Sequence, residues 1–402
     1  MLHKLEVAVS ILLATGLAVN GAVVLNCARD VDSANDEMCN RPVHSTTTPP
    51  IPLPTSTCNS TATPTPYQTI NFSNTSWIWT GENPTAGGAN PIGLRSFRKN
   101  VSTPCENDKC ARCATIIAAV DNDYQLYVNG LSVGNGSGWD LAGVHYVPLR
   151  EQDNVFAFAG INVPPGGPAG FVAKILVHYS DGSTDSIGTD ETWRTLPRDT
   201  SALSWTSPNF DDSAWGRAKS QGPTANGASL WGAPKLPPAL SLADARWIWT
   251  SDVNVGDATA PVGTRFFRTT HNVNGTKRAV CATAVIDADD EYTLWVNGVI
   301  VGSNNNFQAA KAYHIPSLSG QTNTFAVNAS SVGGPAGVIA KILLVFDDGT
   351  TEALVTGTGW KASATAPVGF EKPAFDVSGW AAATDVGAFG RSPWGQLAIP
   401  AA

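Results

Sequence analysis

The residues best suited to bind a ligand form a short acidic block that occurs twice in the chain. Asp121, Asn122 and Asp123 stand side by side, and Asp289 and Asp290 repeat the arrangement in a second copy. Oxygen-bearing side chains at this spacing suit either calcium or the hydroxyl groups of a sugar. We therefore predict that these five residues bind carbohydrate, with Asp121 and Asp289 as the ligands of any calcium ion. The competing interpretation is a solvated turn in which the side chains cap their own backbone.

Aromatic rings supply a second carbohydrate signal, because the apolar face of a sugar packs on an exposed ring. Trp139 lies in the glycine-rich segment GNGSGWDLAG, where burial is hard to arrange. We predict that Trp139, Asp140 and Tyr146 complete the site, although a glycan at the sequon of Asn135 would crowd the same loop. Ten further tryptophans form matched pairs that we expect in the core: Trp77, Trp79, Trp193, Trp215 and Trp231 with Trp247, Trp249, Trp360, Trp380 and Trp394.

Catalytic chemistry has less support. Glycoside hydrolysis needs two carboxyl groups that face each other across a cleft. Asp121, Asp123, Asp211 and Asp212 are available, but they stand in strand-edge and turn contexts where Asp is common for backbone reasons. No G-x-S-x-G elbow occurs, and none of the six histidines falls at a strictly repeat-matched position. We expect no catalytic residue.

A long internal repeat contains both acidic blocks. In this chain of 402 residues, WIWTGENPTAGGANPIGLRSFR from Trp77 aligns without a gap with WIWTSDVNVGDATAPVGTRFFR from Trp247. The acidic blocks stand within CATIIAAVDNDYQLYVNGLSVG from Cys113 and CATAVIDADDEYTLWVNGVIVG from Cys281, and both copies continue to GGPAG. The chain therefore contains a first repeat and a second repeat of one unit.

Each repeat has the pattern of antiparallel β structure. Charged residues make up only 14% of the chain, and no segment has a helix-length apolar period. Short alternating strands run into Asn129–Gly130 and Asn297–Gly298, which supply the positive φ angles of tight hairpin turns. We predict an all-β fold of two tandem antiparallel β-sandwich or jelly-roll domains, residues 77–236 and 245–400.

Four segments of the first repeat together resemble galactose-binding-like jelly rolls. They are the opening W-I-W, the FR pair at residues 97–98, the block DNDYQLYVNGLSVG at residues 121–134 and NFDDSAW at residues 209–215. They are most similar to the accessory β-sandwich domains of bacterial α-L-rhamnosidases, including their rhamnose-binding modules. The resemblance covers nearly all of both repeats. It implies carbohydrate binding in loops at one end of the sandwich, sometimes with calcium, without the catalytic barrel of the enzyme.

The resemblance also assigns roles within the acidic block. An Asp-Asn pair before the tyrosine lies at the ligand in the rhamnose-binding modules, which places Asp121 and Asn122 at the ligand here. The second repeat departs from this pattern, because Asp290 stands where the first repeat has Asn122. Equal ligand specificity of the two repeats is therefore not implied.

The segment that precedes the repeats has the features of secretion. Residues 1–22 resemble a signal peptide, with a basic start, an apolar stretch and small residues at its end. Residues 23–76 contain cysteines and a Ser/Thr/Pro-rich part, 44–66, which we expect to be a disordered, O-glycosylated stalk. Sequons for N-glycosylation occur at Asn59, Asn71, Asn74, Asn100, Asn135, Asn274 and Asn328.

The chain has seven cysteines, an odd number that leaves at least one unpaired. We predict a local disulfide between Cys105 and Cys110. Cys113 and Cys281 occupy matching positions in apolar strands, which favours buried free thiols. Zinc binding is not expected, because Cys105, Cys110 and Cys113 have no fourth ligand at finger-like spacing.

The function predicted from these features is that of a secreted, non-catalytic carbohydrate-binding protein, extracellular or associated with a cell wall. A net charge of −8 without any basic run argues against nucleic acid as a partner. No integral membrane span is expected after the first segment. The alternative is an extracellular structural or adhesive protein that self-associates, and a glycoside hydrolase-related enzyme ranks third.

Overall fold

The computed structural model describes residues 67–107, 109–197, 203–225 and 227–402. The predicted signal peptide (1–22) and the Ser/Thr/Pro-rich part of the stalk (44–66) lie outside these residues, as do three of the cysteines, Cys27, Cys39 and Cys58. Within them the fold is all-β, as predicted, with one 3₁₀ helix at Leu203–Thr206. No helix in this part of the chain is long and apolar enough to cross a membrane.

The strands of the first repeat follow one another at short intervals. They are β1 (Ser76–Trp79), β2 (Ala89–Asn90), β3 (Gly93–Val101), β4 (Ala111–Asp121), β5 (Asp123–Val128), β6 (Leu131–Ser137), β7 (Gly143–Pro148), β8 (Asn154–Asn162), β9 (Gly167–Pro168), β10 (Gly170–Tyr179), β11 (Thr184–Gly188), β12 (Arg194–Leu196), β13 (Gly216–Arg217) and β14 (Lys219–Pro223).

The strands of the second repeat follow in the same order. They are β15 (Arg246–Trp249), β16 (Thr259–Ala260), β17 (Gly263–Asn272), β18 (Ala279–Asp289), β19 (Glu291–Val296), β20 (Val299–Asn304), β21 (Lys311–Ile315), β22 (Thr322–Ser331), β23 (Gly334–Pro335), β24 (Gly337–Phe346), β25 (Thr351–Val355), β26 (Lys361–Ser363), β27 (Ala381–Ala382) and β28 (Thr384–Ala388).

Each repeat folds into two six-stranded antiparallel sheets and a two-stranded ribbon, β2 with β9 in the first repeat and β16 with β23 in the second. In the first repeat, one sheet has the order β14-β1-β10-β4-β7, with β11 also paired to β10, and the other has the order β13-β12-β3-β8-β5-β6. The second repeat has the equivalent sheets β28-β15-β24-β18-β21, with β25 on β24, and β27-β26-β17-β22-β19-β20. Non-sequential neighbours in both sheets give the Greek-key connections of a jelly roll.

The alternation of side chains along a strand gives the first sheet two apolar faces. On β4, Ile116, Ala118 and Val120 pack between the two sheets, whereas Ile117 and Ala119 belong to a separate cluster on the outer face. That outer cluster includes Trp77 and Trp231. The expected core tryptophans are buried, with the exception of Trp380, which is half-buried against Phe370 and Phe375.

The two repeats pack against each other within one compact unit. A disulfide joins Cys113 on β4 to Cys281 on β18, with 6.6 Å between their Cα atoms. The prediction of buried free thiols was therefore wrong. Both cysteines are buried, but the matching strands β4 and β18 bring them face to face between the repeats, and Cys113 packs in the core cluster of the second repeat. The structure also contains the disulfide between Cys105 and Cys110 that was favoured from the sequence.

Candidate functional site

The acidic block of the first repeat marks the end of the inner strand β4. Asp121 is the last residue of β4, and its peptide bond to Asn122 is cis. The indole Nε1 of Trp231 donates a hydrogen bond of 2.9 Å to Asp121 Oδ2, and the Trp231 ring packs on Trp77 at 4.8 Å between centroids. Partial burial raises the pKa of Asp121, and the bond from Trp231 acts in the opposite direction. A buried indole thus fixes one oxygen of this carboxylate.

A glycine makes room for this indole. Gly170 lies opposite Asp121 in the pairing of β4 with β10. A Cβ atom at Gly170 would come within 2.9 Å of both Trp77 and Trp231, and such contacts are shorter than real packing permits. Gly337 has the same place opposite Asp289 and would meet Trp247 at 2.8 Å. The shared GGPAG segments therefore end in the glycine that lets an indole reach the aspartate.

Backbone groups form hydrogen bonds with three of the four polar groups of Asn122. Its Oδ1 accepts a hydrogen bond of 3.0 Å from the Val163 N–H, its N–H donates to the Ile161 carbonyl, and its carbonyl accepts from the Gly138 N–H at 2.7 Å. Because Val163 offers a donor, the amide oxygen must face it and Nδ2 must turn away. Nδ2 has no hydrogen-bond partner among the residues that the structure describes. It is a donor available to a ligand.

Loops from several parts of the first repeat meet at this pair. The Trp139 loop is tied to the segment after Trp231, because the Lys235 N–H donates to the Asp140 carbonyl at 2.8 Å and the Ala142 N–H donates to the Lys235 carbonyl at 2.9 Å. The short strand β2 pairs with β9, and Asn162 Nδ2 at the end of β8 donates to the Asn90 carbonyl of β2. The loops at one end of the sandwich thus surround Asp121 and Asn122.

Large apolar side chains are exposed on these same loops. Trp139 is 44% exposed, and Ile92, Leu141 and Leu230 are each more than half exposed. The second repeat exposes Val262 and Val332 on the equivalent loops, together with Phe307 at 39%. Phe307 stands nine residues after the glycine of its Asn-Gly turn, as Trp139 does in the first repeat. Phe307 was not predicted from the sequence, although the ungapped alignment of the repeats, extended beyond the hairpin, pairs it with Trp139.

The second repeat reproduces the bond from indole to aspartate with more negative charge around it. Trp394 Nε1 donates to Asp289 Oδ2 at 2.8 Å, and Trp394 stacks on Trp247 at 4.1 Å. Asp290, also joined by a cis peptide bond, accepts the Val332 N–H at 2.7 Å through Oδ2. Burial raises the pKa of Asp289 to about 6; Trp394 opposes this rise, and the neighbouring Asp290 carboxylate adds to it.

A third carboxyl group lies beneath this second pair. Asp287 stands two residues before Asp289 on β18, where the first repeat has Ala119, and it is 0% exposed. Its Oδ1 is 3.5 Å from Asn304 Nδ2, and its Oδ2 has no hydrogen-bond partner among the described residues. Burial raises the pKa of Asp287 to about 7. Asp287 was not predicted from the sequence as a site residue.

The other predicted residues lie at or near the site, with one correction. Asp123 is half-buried at the start of β5, and Asp140 is exposed beside Trp139. Tyr146 does not belong to the site: it is buried between the repeats and donates to the Ala239 carbonyl at 2.7 Å. The reason is strand alternation, because His145 on β7 points inward to the Tyr124 hydroxyl at 2.7 Å and the next side chain must point the other way.

Metal ligands and sequons were also predicted. No group of three or more His, Cys, Asp or Glu side chains in the described part of the chain is arranged to hold a metal ion. Five sequon asparagines are exposed: Asn71, Asn74, Asn100, Asn135 and Asn274. Asn328 is half-buried in β22, where its Oδ1 accepts the Thr293 N–H at 3.0 Å. Asn59 lies outside the described residues.

Fold and site together define a protein of two galactose-binding-like β-sandwiches, which confirms the resemblance seen in the sequence. No family model matches the chain. The chain is 48% identical to the lectin of Pleurotus ostreatus. The structure of that lectin in complex with GalNAc matches this chain with a TM-score of 0.79, over 85% of this chain and 99% of the lectin. The apo form of the lectin matches with a TM-score of 0.80, over 86% of this chain and 100% of the lectin. The chain belongs to the family of this lectin.

An enzyme is also similar over part of the chain. An α-L-rhamnosidase of Streptomyces avermitilis is 34% identical over 188 residues, which make up 43% of this chain and 18% of the enzyme. The chain thus spans less than a fifth of the length of that curated relative.

Proposed function

We propose that this protein is a secreted, non-catalytic lectin whose two repeats each bind carbohydrate at the loop end that contains the acidic pair. The observation that carries the proposal is the aspartate held by a buried indole, present in both repeats beside an exposed aromatic ring. In the first repeat these are Asp121, Trp231 and Trp139, and in the second Asp289, Trp394 and Phe307.

The polar groups suit sugar hydroxyls. One carboxylate oxygen of Asp121 is occupied by Trp231, which leaves the other to accept a hydrogen bond from a hydroxyl group. Asn122 Nδ2 can donate to a second ligand atom. A few fixed polar groups next to apolar surface are typical of small-molecule sites, because the polar groups set the orientation and the apolar surface supplies contact area.

The exposed rings supply that apolar surface. Trp139 and Phe307 stand at equivalent places, and the loops at each end expose further aliphatic side chains. Most large apolar side chains of a folded protein are removed from water, and contiguous exposed apolar patches mark binding sites. Two weak sites in one chain would also gain avidity on a polymeric glycan.

The lectin of Pleurotus ostreatus supports the ligand class, since its structure was determined with GalNAc. Calcium is part of the proposal as a metal that Asp121 and Asp289 would hold, because carboxylate and amide oxygens are the ligands that calcium prefers. Binding measured with calcium and with EDTA tests this part separately.

The proposal is tested by titrating GalNAc into the full chain and into ring variants. Trp139→Ala and Phe307→Ala should each weaken one site about tenfold through loss of the stacking ring, and the double variant should weaken both. Val368→Ala is the matched control, because this fully exposed side chain belongs to the loop beside the Asn297–Gly298 turn at the opposite end of β19. Unchanged binding in the double variant would refute the site. A glycan array without any bound sugar would refute the function.

A further inference from the structure

We propose that the loop end of the first repeat binds the apolar aglycone of a glycoside next to the sugar, in a subsite formed by Leu230 and Gly87, and that the second repeat lacks this subsite. The inference rests on the proposed carbohydrate-binding function, to which it adds the chemical class of the group joined to the sugar. Leu230 comes immediately before Trp231, whose indole binds Asp121.

The place of Leu230 follows from the bond between Trp231 and Asp121. Trp231 occupies Oδ2 of this carboxylate, so a sugar hydroxyl group bound by the other oxygen would lie close to the loop that contains Trp231. Leu230 precedes Trp231 in that loop, and its side chain is 62% exposed. A group that extends from the sugar toward this loop therefore meets an aliphatic side chain.

Gly87 leaves room for such a group beside the leucine. A Cβ atom placed on Gly87 would lie 3.7 Å from Leu230 Cβ and 3.9 Å from its Cδ2, which are ordinary van der Waals distances. Gly87 is thus the direct neighbour of Leu230, and its N–H is fixed by a hydrogen bond of 3.0 Å to Gln221 Oε1. Because Gly87 has no side chain, it does not cover the flank of the leucine.

Other exposed apolar positions are alike in the two repeats. Trp139 corresponds to Phe307 and Ile92 to Val262, and all four side chains are exposed. Exposed apolar surface of this kind is typical of binding sites. It gives each repeat a place for the sugar itself and does not favour one repeat over the other.

At the place of Leu230 and Gly87, the second repeat has polar groups. The repeat alignment puts Pro393 at the position of Leu230 and Asp257 at that of Gly87. Arg391 donates from Nη2 to the carbonyl of the residue before Asp257 at 3.0 Å, and its charge interacts with that of Asp257. An apolar group packed here would remove charged groups from water, which costs free energy. The second repeat should therefore gain nothing from an apolar aglycone.

The test compares the methyl and phenyl glycosides of GalNAc, in both anomers, with the full-length chain in a buffer that contains calcium. The two sites are followed separately by NMR, because the indole N–H of Trp231 is bonded to Asp121 and that of Trp394 to Asp289. The measured quantity is the ratio of the affinities for the phenyl and the methyl glycoside, taken at each indole signal.

In at least one anomer, the phenyl glycoside should bind about tenfold more tightly than the methyl glycoside at the Trp231 signal, because the phenyl ring and Leu230 remove each other's apolar surface from water. At the Trp394 signal the two glycosides should bind about equally. Leu230→Asn should lower the ratio at Trp231 to about one, since the amide keeps the shape of the leucine and removes its apolar character.

Leu203→Asn is the matched control, because it makes the same substitution at an exposed leucine of the same repeat. Leu203 is 57% exposed and lies in the 3₁₀ helix whose Trp205 packs on Tyr127. Tyr127 is near the end of β5, whereas the acidic block stands at the start of that strand. This variant should keep the tenfold ratio at Trp231.

The outcomes separate this inference from the proposed function. If none of the glycosides changes either indole signal, the carbohydrate-binding function is refuted, and the inference with it. If the methyl glycosides bind but the ratio at Trp231 does not exceed that at Trp394, or survives Leu230→Asn, the aglycone subsite is refuted and the function stands. A ratio that falls equally in Leu203→Asn would also refute the subsite, because the preference would not depend on the place of Leu230.

Discussion

The loop ends of the two repeats share a frame of an indole, an aspartate and a glycine, but they differ in the side chains around this frame. In both, an indole binds the aspartate that ends an inner strand, and a glycine on the neighbouring strand makes room for it. Around this frame, Asn122 is replaced by Asp290, Ala119 by Asp287 and Trp139 by Phe307. The differences thus lie where a ligand would bind, whereas the groups that position the aspartate are the same.

The same contrast occurs where the repeats meet. Tyr146 on β7 and His314 on β21 lie opposite Thr115 and Thr283 respectively, so they hold equivalent positions. Tyr146 donates to the Ala239 carbonyl, whereas His314 stacks on His178 at 3.5 Å between ring centroids. Equivalent strands therefore use one position in two ways, and only one of the two contacts can respond to pH.

The largest effect on stability is expected from removing the disulfide that joins the two repeats. The Cys113→Ser, Cys281→Ser double variant removes a disulfide with a sequence separation of 168 residues. Loop-closure entropy predicts a loss of about 5 kcal/mol in the free energy of unfolding, measured by denaturant titration. The matched control is the Cys105→Ser, Cys110→Ser double variant, whose sequence separation is 5 residues. It should lose only about 2 kcal/mol. Equal losses would show that the disulfide between the repeats does not restrict the unfolded chain.

Acid should destabilise the contact between the histidines. Burial lowers the pKa of His178 to about 3, and burial together with the neighbouring His178 lowers the pKa of His314 far below its ordinary value. Both rings are neutral in the folded protein, so the unfolded chain binds more protons below pH 6.5. Stability is therefore complete above that pH and falls as the pH decreases toward 3, by about 2 kcal/mol per histidine at pH 5.

The measurement is the midpoint of thermal unfolding as a function of pH, in the wild type and in His314→Phe. The phenyl ring keeps an aromatic stack with His178 but cannot bind a proton, so the variant should lose less stability between pH 7 and pH 5 than the wild type does. Identical acid slopes would show that other groups dominate the acid response. Tyr146→Phe, at the equivalent position, should leave the slope unchanged.

The fold was predictable from the sequence because each repeat contains local signals that agree with one another. The Asn129–Gly130 and Asn297–Gly298 pairs adopt positive φ angles, as hairpin turns require, and β5 and β19 alternate buried side chains with more accessible ones. The predicted acidic block also lies at a loop end of the sandwich. These features depend on neighbours in sequence, which a pattern can reveal.

Contacts between distant segments could not be predicted in this way. Cys113 and Cys281 each looked like a core residue of its own repeat, because nothing local shows that two equivalent strands face each other. Tyr146 looked like a neighbour of Trp139 in sequence, but the phase of β7 turns it to the opposite side. Asp287 escaped attention because its burial and its contact with Asn304 on β20 depend on how separate strands pack.

The smallest effect on stability is expected from removing the hydrogen bonds that the indoles of Trp231 and Trp394 donate to Asp121 and Asp289. The size of the loss should differ between the two sites. Trp→Phe at either position removes the N–H that binds the aspartate and keeps an aromatic ring. Asp289 is only 6% exposed, whereas Asp121 is more accessible to water. An unsatisfied buried carboxylate costs more than one that water can reach. Trp394→Phe should therefore destabilise the protein by about 2 kcal/mol and Trp231→Phe by about 1 kcal/mol in denaturant titration.

The two variants also differ in what they do to the carboxyl groups. Trp394 opposes the rise in the pKa of Asp289, so its loss should move that pKa above about 6, which NMR titration of the side-chain carboxyl carbon can follow. Trp231→Phe should raise the pKa of Asp121 as well, because the hydrogen bond from Trp231 opposes the rise that burial causes. If the Asp289 pKa stayed unchanged in Trp394→Phe, the indole would be a packing group only. The shared frame would then owe its position to the stacked rings and the glycine, and the aspartate would be held by its strand alone.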